Sequence, residues 1–346
     1  MGCCLSPCRN SYENVAKAKT ADFQRRLKDP QVQHASIDEF TINGVLGEGT
    51  YGRVLHVSRR PGTSHFALKQ LSRARAGKRN IDFVKRERQI LAAVDFPFII
   101  KLFWCCKDNA YLYFVTELAP CGNFRRFIYE YHIAKEARRF YIGQMVLALE
   151  YLHSASVIHR DIKPANILVG ADGYLKLSDF GLSKHLRGVQ RTYSVLGTPF
   201  YRAPEVSFTT GYGCSADWWS LGLVASDIVS SILPLGSEWL DDAPTVTDVS
   251  SVTCPRSVLI GEDIRLFVKD LLKEDPTQRL GIGANGTPRA RDHVFFSSMD
   301  WLALYEKKCV APVSAPRAVL PQPYDSADDN SKQSTDILFE KEFAFF

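Results

Sequence analysis

Two short polar segments constrain this chain more than any other feature. His159-Arg160-Asp161-Ile162-Lys163-Pro164-Ala165-Asn166 is followed, thirteen residues after Asn166, by Asp179-Phe180-Gly181. Between them, residues 167–169 and 174–177 read as short strands, and Gly170-Ala171-Asp172-Gly173 supplies the turn of a β-hairpin. A hairpin brings the chain back to its start, so Asp161, Asn166 and Asp179 are expected to meet at the ends of neighbouring strands. An Asp with an Asn is the oxygen-ligand set that magnesium takes when it shares its shell with phosphates. The other Asp stays available to orient a hydroxyl nucleophile.

A second region lies more than a hundred residues upstream. Gly47-Glu48-Gly49-Thr50-Tyr51-Gly52-Arg53-Val54 follows the apolar Val45-Leu46. A lone Gly-x-Gly-x-x-Gly is a weak signal, and a dinucleotide fingerprint requires a helix after it. Here residues 54–58 continue as a strand, with Val54, His56 and Ser58 alternating against Leu55 and Val57. The glycines therefore sit in a strand-turn-strand flap, where missing side chains let backbone N–H groups approach phosphate. In the next strand, Phe66-Ala67-Leu68-Lys69, alternation puts Ala67 and Lys69 on one face. Further on, Val84, Glu87, Leu91 and Val94 share one helical stripe, apolar except for Glu87. A carboxylate on a core-facing stripe is costly unless paired, and Lys69 is the expected partner.

Together these segments resemble the phosphate flap, catalytic loop and metal loop of protein kinases. The resemblance implies an α+β, bilobal protein kinase fold, with a small antiparallel β lobe and a larger helical lobe. It implies ATP and magnesium as cofactors and a Ser or Thr hydroxyl of a protein substrate as acceptor. Gly47, Gly49 and Gly52 would cover the phosphates, and Lys69, held by Glu87, would bind them. Asn166 and Asp179 would hold magnesium. Asp161 would orient the hydroxyl and accept its proton, and Lys163 would stabilise the transferred group, with Thr198 shaping the site. Lysine two residues after the catalytic Asp resembles the Ser/Thr kinases. Leu46, Val54, Ala67, Thr116, Glu117, Ala119 and Leu168 would line the adenine pocket. In that pocket Thr116 would stand at the back, and the 117–122 linker would act as a hinge.

Further motifs follow in order: Ala203-Pro204-Glu205, then Asp217-Trp218-Trp219-Ser220-Leu221-Gly222, whose Asp would cap the catalytic loop, then Arg279, suited to pair with Glu205. Phe96-Pro97-Phe98 and the C-terminal tail resemble AGC-type kinases, such as the cyclic-AMP-dependent and ribosomal-protein kinases. The terminal Phe343-Ala344-Phe345-Phe346 resembles a hydrophobic motif that folds back beside the Glu87 helix, and Tyr324 is expected to cap the nucleotide site. Ser194 and Ser334 fall at regulatory phosphosite positions, with Arg160 and Lys184 placed to receive the Ser194 phosphate; this implies an upstream activating kinase. Three departures stand out. Asn123 and Ala165 occupy positions where basophilic relatives use acidic residues, leaving only Asp227. Residues 231–235 replace a Gly-x-Pro-Pro-Phe segment. Phe83 stands where a helix-borne His would touch the activation-loop phosphate.

The chain divides into a leader with an acylation signal (1–38), a kinase domain (39–296, small lobe about 39–118, large lobe about 119–296) and an AGC-type tail (297–346). An amphipathic helix is expected over 15–27. The leader begins Met1-Gly2-Cys3-Cys4-Leu5-Ser6, which matches the N-myristoylation pattern at Gly2; Cys3 and Cys4, and Cys8 after them, would add palmitate as the second anchoring signal. This predicts a peripheral, lipid-anchored position on the cytoplasmic face of a membrane, and a cytoplasmic chain otherwise. Nine scattered cysteines without metal-ligand spacing fit a reduced compartment. The net charge of +5 does not point to nucleic acid. The basic residues from Arg73 to Arg88 read as a solvated face, and a monomer is expected. A catalytically weak pseudokinase that binds nucleotide and partners is the alternative reading.

Overall fold

The computed structural model describes residues 6–49, 52–186, 188, 191–208, 210–230, 261–281, 289–314, 316–324 and 346. The predicted alternation builds a small-lobe sheet from β1 (Gln33–His34), β2 (Phe40–Gly49), β3 (Gly52–Arg59), β4 (His65–Ser72), β5 (Leu102–Lys107) and β6 (Tyr111–Glu117), in the order β1-β5-β6-β4-β3-β2. All neighbours are antiparallel except β1, which adds in parallel beside β5. Leu55, Val57, Phe66, Leu68 and Val115 form an apolar cluster on one face. Alternation turns Val54, Ala67 and Lys69 to the other.

Gly52 is dictated by backbone approach. A Cβ there would lie 1.8 Å from the Gln70 carbonyl oxygen across the β3–β4 pairing, whereas one at Gly47 meets nothing within 4 Å. Gly52→Ala is therefore expected to destabilise the small lobe by about 1–3 kcal/mol or more, as overpacking does, while Gly47→Ala leaves stability unchanged. Urea midpoints of the two variants check this.

Helix α2 (Arg73–Ala93) lies beneath the sheet with Val84, Glu87 and Leu91 buried, followed by buried Val94. The basic run was expected to be solvated, yet Arg73 is 1% exposed, its Nη1 donating to the Asp108 carbonyl. That bond ties the start of α2 to the β5–β6 turn and gives the buried guanidinium a carbonyl acceptor.

In the large lobe, α3 (Phe124–Tyr131), α4 (Arg138–Ser154), α5 (Ser215–Ser230), α6 (Glu262–Leu271) and α7 (Trp301–Tyr305) surround two small strand pairs. These are β7 (Val157–Ile158) with β10 (Lys184–His185), and β8 (Ile167–Val169) with β9 (Leu175–Leu177). α4 is buried along nearly its whole length, as its apolar sequence requires.

The leader differs most from expectation. Helix α1 runs over Ser6–Lys28, well beyond 15–27, and docks on the kinase domain. Tyr12, Ala16, Phe23 and Leu27 fall within one narrow helical stripe, and the whole stripe joins the main core. Phe23 stacks on Tyr151 at 4.6 Å, Tyr151 stacks on Phe96 at 4.5 Å, and Lys19 pairs with Asp95 at 2.8 Å. No helix among the described residues is long and apolar enough to cross a membrane.

The tail crosses the hinge. Val319 N donates to Pro120 O at 2.7 Å, and Val45 and Gln322 exchange two backbone bonds of 2.8 Å. This pairing sends Tyr324 to the outer apolar face of the sheet, with Phe40 and Leu55. It therefore does not cap the face that carries Lys69. Phe346 is 5% exposed and meets Phe114 edge-on at 5.0 Å, on the α2 side of the sheet. Gly2, Cys3, Cys4, Ser334, residues 343–345 and the replaced segment from 231 lie outside the described residues.

Candidate active site

The β8–β9 hairpin and the turns at either end of it assemble the polar cluster. Asp161 is 8% exposed and accepts from four groups. Its Oδ1 takes Thr198 N at 3.0 Å and Thr198 Oγ1 at 2.7 Å. Its Oδ2 takes Asn166 Nδ2 at 2.8 Å and pairs with Lys163 Nζ at 2.9 Å. Lys163 also donates to Thr198 Oγ1 at 2.7 Å, so the four side chains form one closed network. Burial acts against the Asp161 charge, but the bonds from Lys163 and Thr198 outweigh it and lower its pKa.

Lys69 sits between two carboxylates, with Nζ 2.7 Å from Glu87 Oε1 and 2.9 Å from Asp179 Oδ1. Burial opposes the ammonium, yet Asp179 and Glu87 together raise its pKa, and a charged pair is the state this geometry supports. Lys69 in turn holds the Asp179 carboxyl at about 2. Asp179 has φ of 57°, a left-handed conformation rare for a side-chain-bearing residue. Such strain clusters at functional sites and is held by its surroundings. Phe180, fully buried next in the chain and edge-on to His159 at 4.9 Å, is the anchor.

The loop itself is suspended from Asp217. Its carboxylate accepts from the backbone N–H groups of His159 and Arg160, both at 2.8 Å, and contacts His153 Nε2 at 2.8 Å. Arg160 has φ of 71°, and its carbonyl would lie 2.5 Å from a Cβ on Gly197, which is why a glycine precedes Thr198. Glu205 and Arg279 form a bidentate buried pair.

The residues expected to line an adenine pocket fall on five strands and the linker. Leu46 is on β2, and Val54 on β3 pairs with Lys69 on β4. Ala67 on β4 pairs with Thr116 on β6, and Leu168 on β8 meets Asn123 across an isolated bridge. Glu117 turns its side chain behind the linker, where Oε1 accepts from Lys101 N and Lys176 Nζ, both at 2.8 Å. Only its backbone faces the linker, ahead of Ala119.

A nucleotide with magnesium fits these residues. Asn166 spends its Nδ2 on Asp161 O and Oδ2, which leaves Oδ1 for a metal ion, and Ser178 N, one residue before Asp179, donates to the Asn166 carbonyl at 2.8 Å. Among the described residues no group of three or more His, Cys, Asp or Glu could hold a metal alone. Magnesium that completes its shell with phosphate oxygens and water does not require one.

Ser194 is exposed, with its carbonyl accepting from Tyr212 Oη at 2.6 Å. Arg160 and Lys184 were expected to receive a phosphate on Ser194, and the structure sets a third cation, Arg86, with those two. Burial lowers the Lys184 pKa, and Arg160 and Arg86 push it the same way, so three cations crowd one region. Arg86, Lys184 and Leu27 line a cavity of about 270 Å³ there. The signal was available: Arg86 stands one residue from Glu87 and one turn from Phe83, and its guanidinium lies over the Phe83 ring at 4.9 Å. Asn123, read only as a lost acidic residue, caps α3, its Oδ1 accepting from Arg126 N at 3.0 Å.

These loops, hung between a five-strand antiparallel unit and a helical lobe, define a phosphotransferase of the protein kinase type. Residues 40–296 match the protein kinase domain family. The chain belongs to that family. It is 36% identical over 285 residues to a cGMP-dependent protein kinase of Plasmodium berghei, covering 81% of this chain and 33% of the relative. It is 34% identical over 285 residues to human ribosomal protein S6 kinase alpha-1, covering 81% and 38%. It is 33% identical over 314 residues to the mouse cAMP-dependent protein kinase catalytic subunit PRKX, covering 89% and 86%. The chain thus spans about a third of the length of the first two. Within the family it is similar to the AGC-group serine/threonine kinases, and phosphoryl transfer to protein is the activity this family supports.

Proposed function

We propose that this chain transfers the γ-phosphate of ATP to Ser or Thr hydroxyls of protein substrates. The observation that carries this reading is the closed network of Asp161, Lys163, Asn166 and Thr198. Asp161, kept ionised by that network, orients the acceptor hydroxyl and takes its proton at a carboxylate oxygen. Lys163, held between Asp161 and Thr198, places its ammonium where charge develops on the transferred group. Lys69 binds phosphate oxygens, with Glu87 fixing its direction. Gly47 and Gly52 keep the flap free of side chains. Asn166 and Asp179 hold magnesium, which neutralises phosphate charge when bound.

Two regulatory features belong to the same reading. Phosphorylation of Ser194 by an upstream kinase places a dianion among Arg86, Arg160 and Lys184, where like charges otherwise repel. This docks the activation segment against α2 and so steadies Glu87. Ser194→Ala is expected to lower turnover at least tenfold, the order of effect of one or more charge-assisted bonds on an active geometry. Unchanged turnover of the purified variant would remove Ser194 from the mechanism. Acylation at Gly2, with Cys3 and Cys4, holds the chain at a membrane through α1; intact-mass analysis of the chain expressed with a myristoyltransferase and an acyltransferase tests it.

The test of the activity is magnesium-ATP-dependent phosphorylation of a degenerate Ser/Thr peptide library, with Asp161→Asn as control. Incorporation that the control lacks supports the reading. ATP binding without incorporation, even with Ser194 phosphorylated, favours a nucleotide-binding scaffold instead.

A further inference from the structure

The loop 197–202 closes against Asp161, and its last residue is an arginine. Thr198 N and Oγ1 donate to Asp161 Oδ1 at 3.0 and 2.7 Å. Pro199–Tyr201 then makes a 3-10 turn, tightened by Tyr201 N donating to Thr198 O at 3.0 Å and Arg202 N to Pro199 O at 3.2 Å. Tyr201 is fastened to α5, its carbonyl accepting from Ser220 Oγ at 2.7 Å and its hydroxyl donating to Asp227 Oδ2 at 2.6 Å. The Arg202 side chain instead returns along the loop, and its Nη2 donates to Gly197 O at 2.6 Å. Gly197 C=O and Thr198 N–H belong to one peptide group, which is therefore gripped at one end by Arg202 and at the other by Asp161. Across that single group, Arg202 Nη2 lies within about 8 Å of Asp161 Oδ1.

This guanidinium has donors left over. Its Nε is buried with no hydrogen-bond partner. Among the described residues no carboxylate pairs with it: Asp161 is bound by Lys163, Asn166 and Thr198, Glu205 by Arg279, and Asp227 by Tyr201. A buried N–H without an acceptor is costly, and an oxygen brought beside it recovers that cost. The side chain is only partly buried, so a ligand can reach it from solvent. A guanidinium suits carboxylates above other partners, because its planar fork matches two oxygens at once.

We propose that Arg202 reads an Asp or Glu side chain of the protein substrate, so that the kinase selects segments with a carboxylate beside the phosphoacceptor. A hydroxyl seated at Asp161 places its flanking residues along the same loop. A separation of about 8 Å is two or three residues of extended chain, which sets how far the carboxylate stands from the acceptor. An arginine or lysine at that position meets a like charge. Arg202 is a substrate-binding residue that sets specificity, and the inference rests on the phosphotransfer reading above.

The experiment is a positional peptide library, with one residue type fixed at each position around a central Ser/Thr, phosphorylated by the full chain and by two variants. Selection is read as a ratio within each enzyme's own library, so a general loss of rate cancels. The wild type is expected to enrich Asp or Glu about tenfold at one flanking position, the size of one charge-assisted hydrogen bond. Arg202→Gln keeps an N–H for the Gly197 carbonyl but no charge, and it is expected to lose the enrichment. Arg202→Glu is expected to replace it with selection of Arg or Lys at the same position, an exchange that a merely structural role would not produce. Absence of acidic enrichment by the wild type overturns the inference while leaving the phosphotransfer reading intact. So does an acidic preference that both variants retain. Absence of incorporation into every peptide overturns the phosphotransfer reading and the inference with it.

Discussion

Asp161→Asn is expected to lower the rate of phosphoryl transfer by about 10²–10⁴-fold, the usual contribution of a positioned base, with nucleotide affinity nearly unchanged. The substitution keeps the shape of the side chain. It keeps an oxygen that can still accept from Thr198, and it lies on a different contact network from the Lys69–Glu87–Asp179 triad. What it removes is the negative charge that holds Lys163 and takes the hydroxyl proton. Single-turnover kinetics at saturating magnesium-ATP, with nucleotide binding followed separately by fluorescence, separates the two quantities. A variant that retains transfer within a few-fold of the wild type would show that Asp161 is only structural.

The second large effect is on stability. Arg279→Ala is expected to destabilise the large lobe by about 3–5 kcal/mol, the cost of leaving a buried ion without its partner. Arg279 is 0% exposed and Glu205 is 4% exposed. The guanidinium bonds both carboxylate oxygens, the Ser215 carbonyl and the Lys273 carbonyl, and it lies 5.1 Å from the Trp219 ring centroid. Lysine cannot reproduce that fork, so Arg279→Lys is expected to recover only a minor part of the loss. Replacing both partners with apolar residues is expected to cost less than Arg279→Ala alone. Urea unfolding of the three variants decides it. A midpoint for Arg279→Ala within error of the wild type would mean that the pair is not buried in solution.

The motifs that carry chemistry were legible because each couples local pattern to local chemistry. The hairpin between Asn166 and Asp179 is specified by its turn residues, and so the return of the chain, with Ser178 N donating to Asn166 O at 2.8 Å, follows from short-range geometry. Glu87 could be assigned to Lys69 because a carboxylate on an apolar stripe demands a cation. The length and docking of α1 were not legible in the same way. Its stripe of Tyr12, Ala16, Phe23 and Leu27 is sparse, and its value depends on Tyr151 and Phe96, which are distant in sequence. Tyr324 was misplaced for a related reason. One strand-like bridge between Val45 and Gln322 sets which face of the sheet the tail's aromatic ring meets, and a period-two element changes face with a shift of a single residue.

The sequence by itself determined which lysine needed a carboxylate and where strand gave way to turn. Those choices rest on side-chain chemistry and on periodicities of two and 3.6, which operate over a few residues. Only the tertiary structure decided that Arg73 is buried and that Arg86 joins Arg160 and Lys184. A cation's environment depends on what packs against it from elsewhere in the chain. The same arginine is a solvated surface group or a buried donor according to that packing.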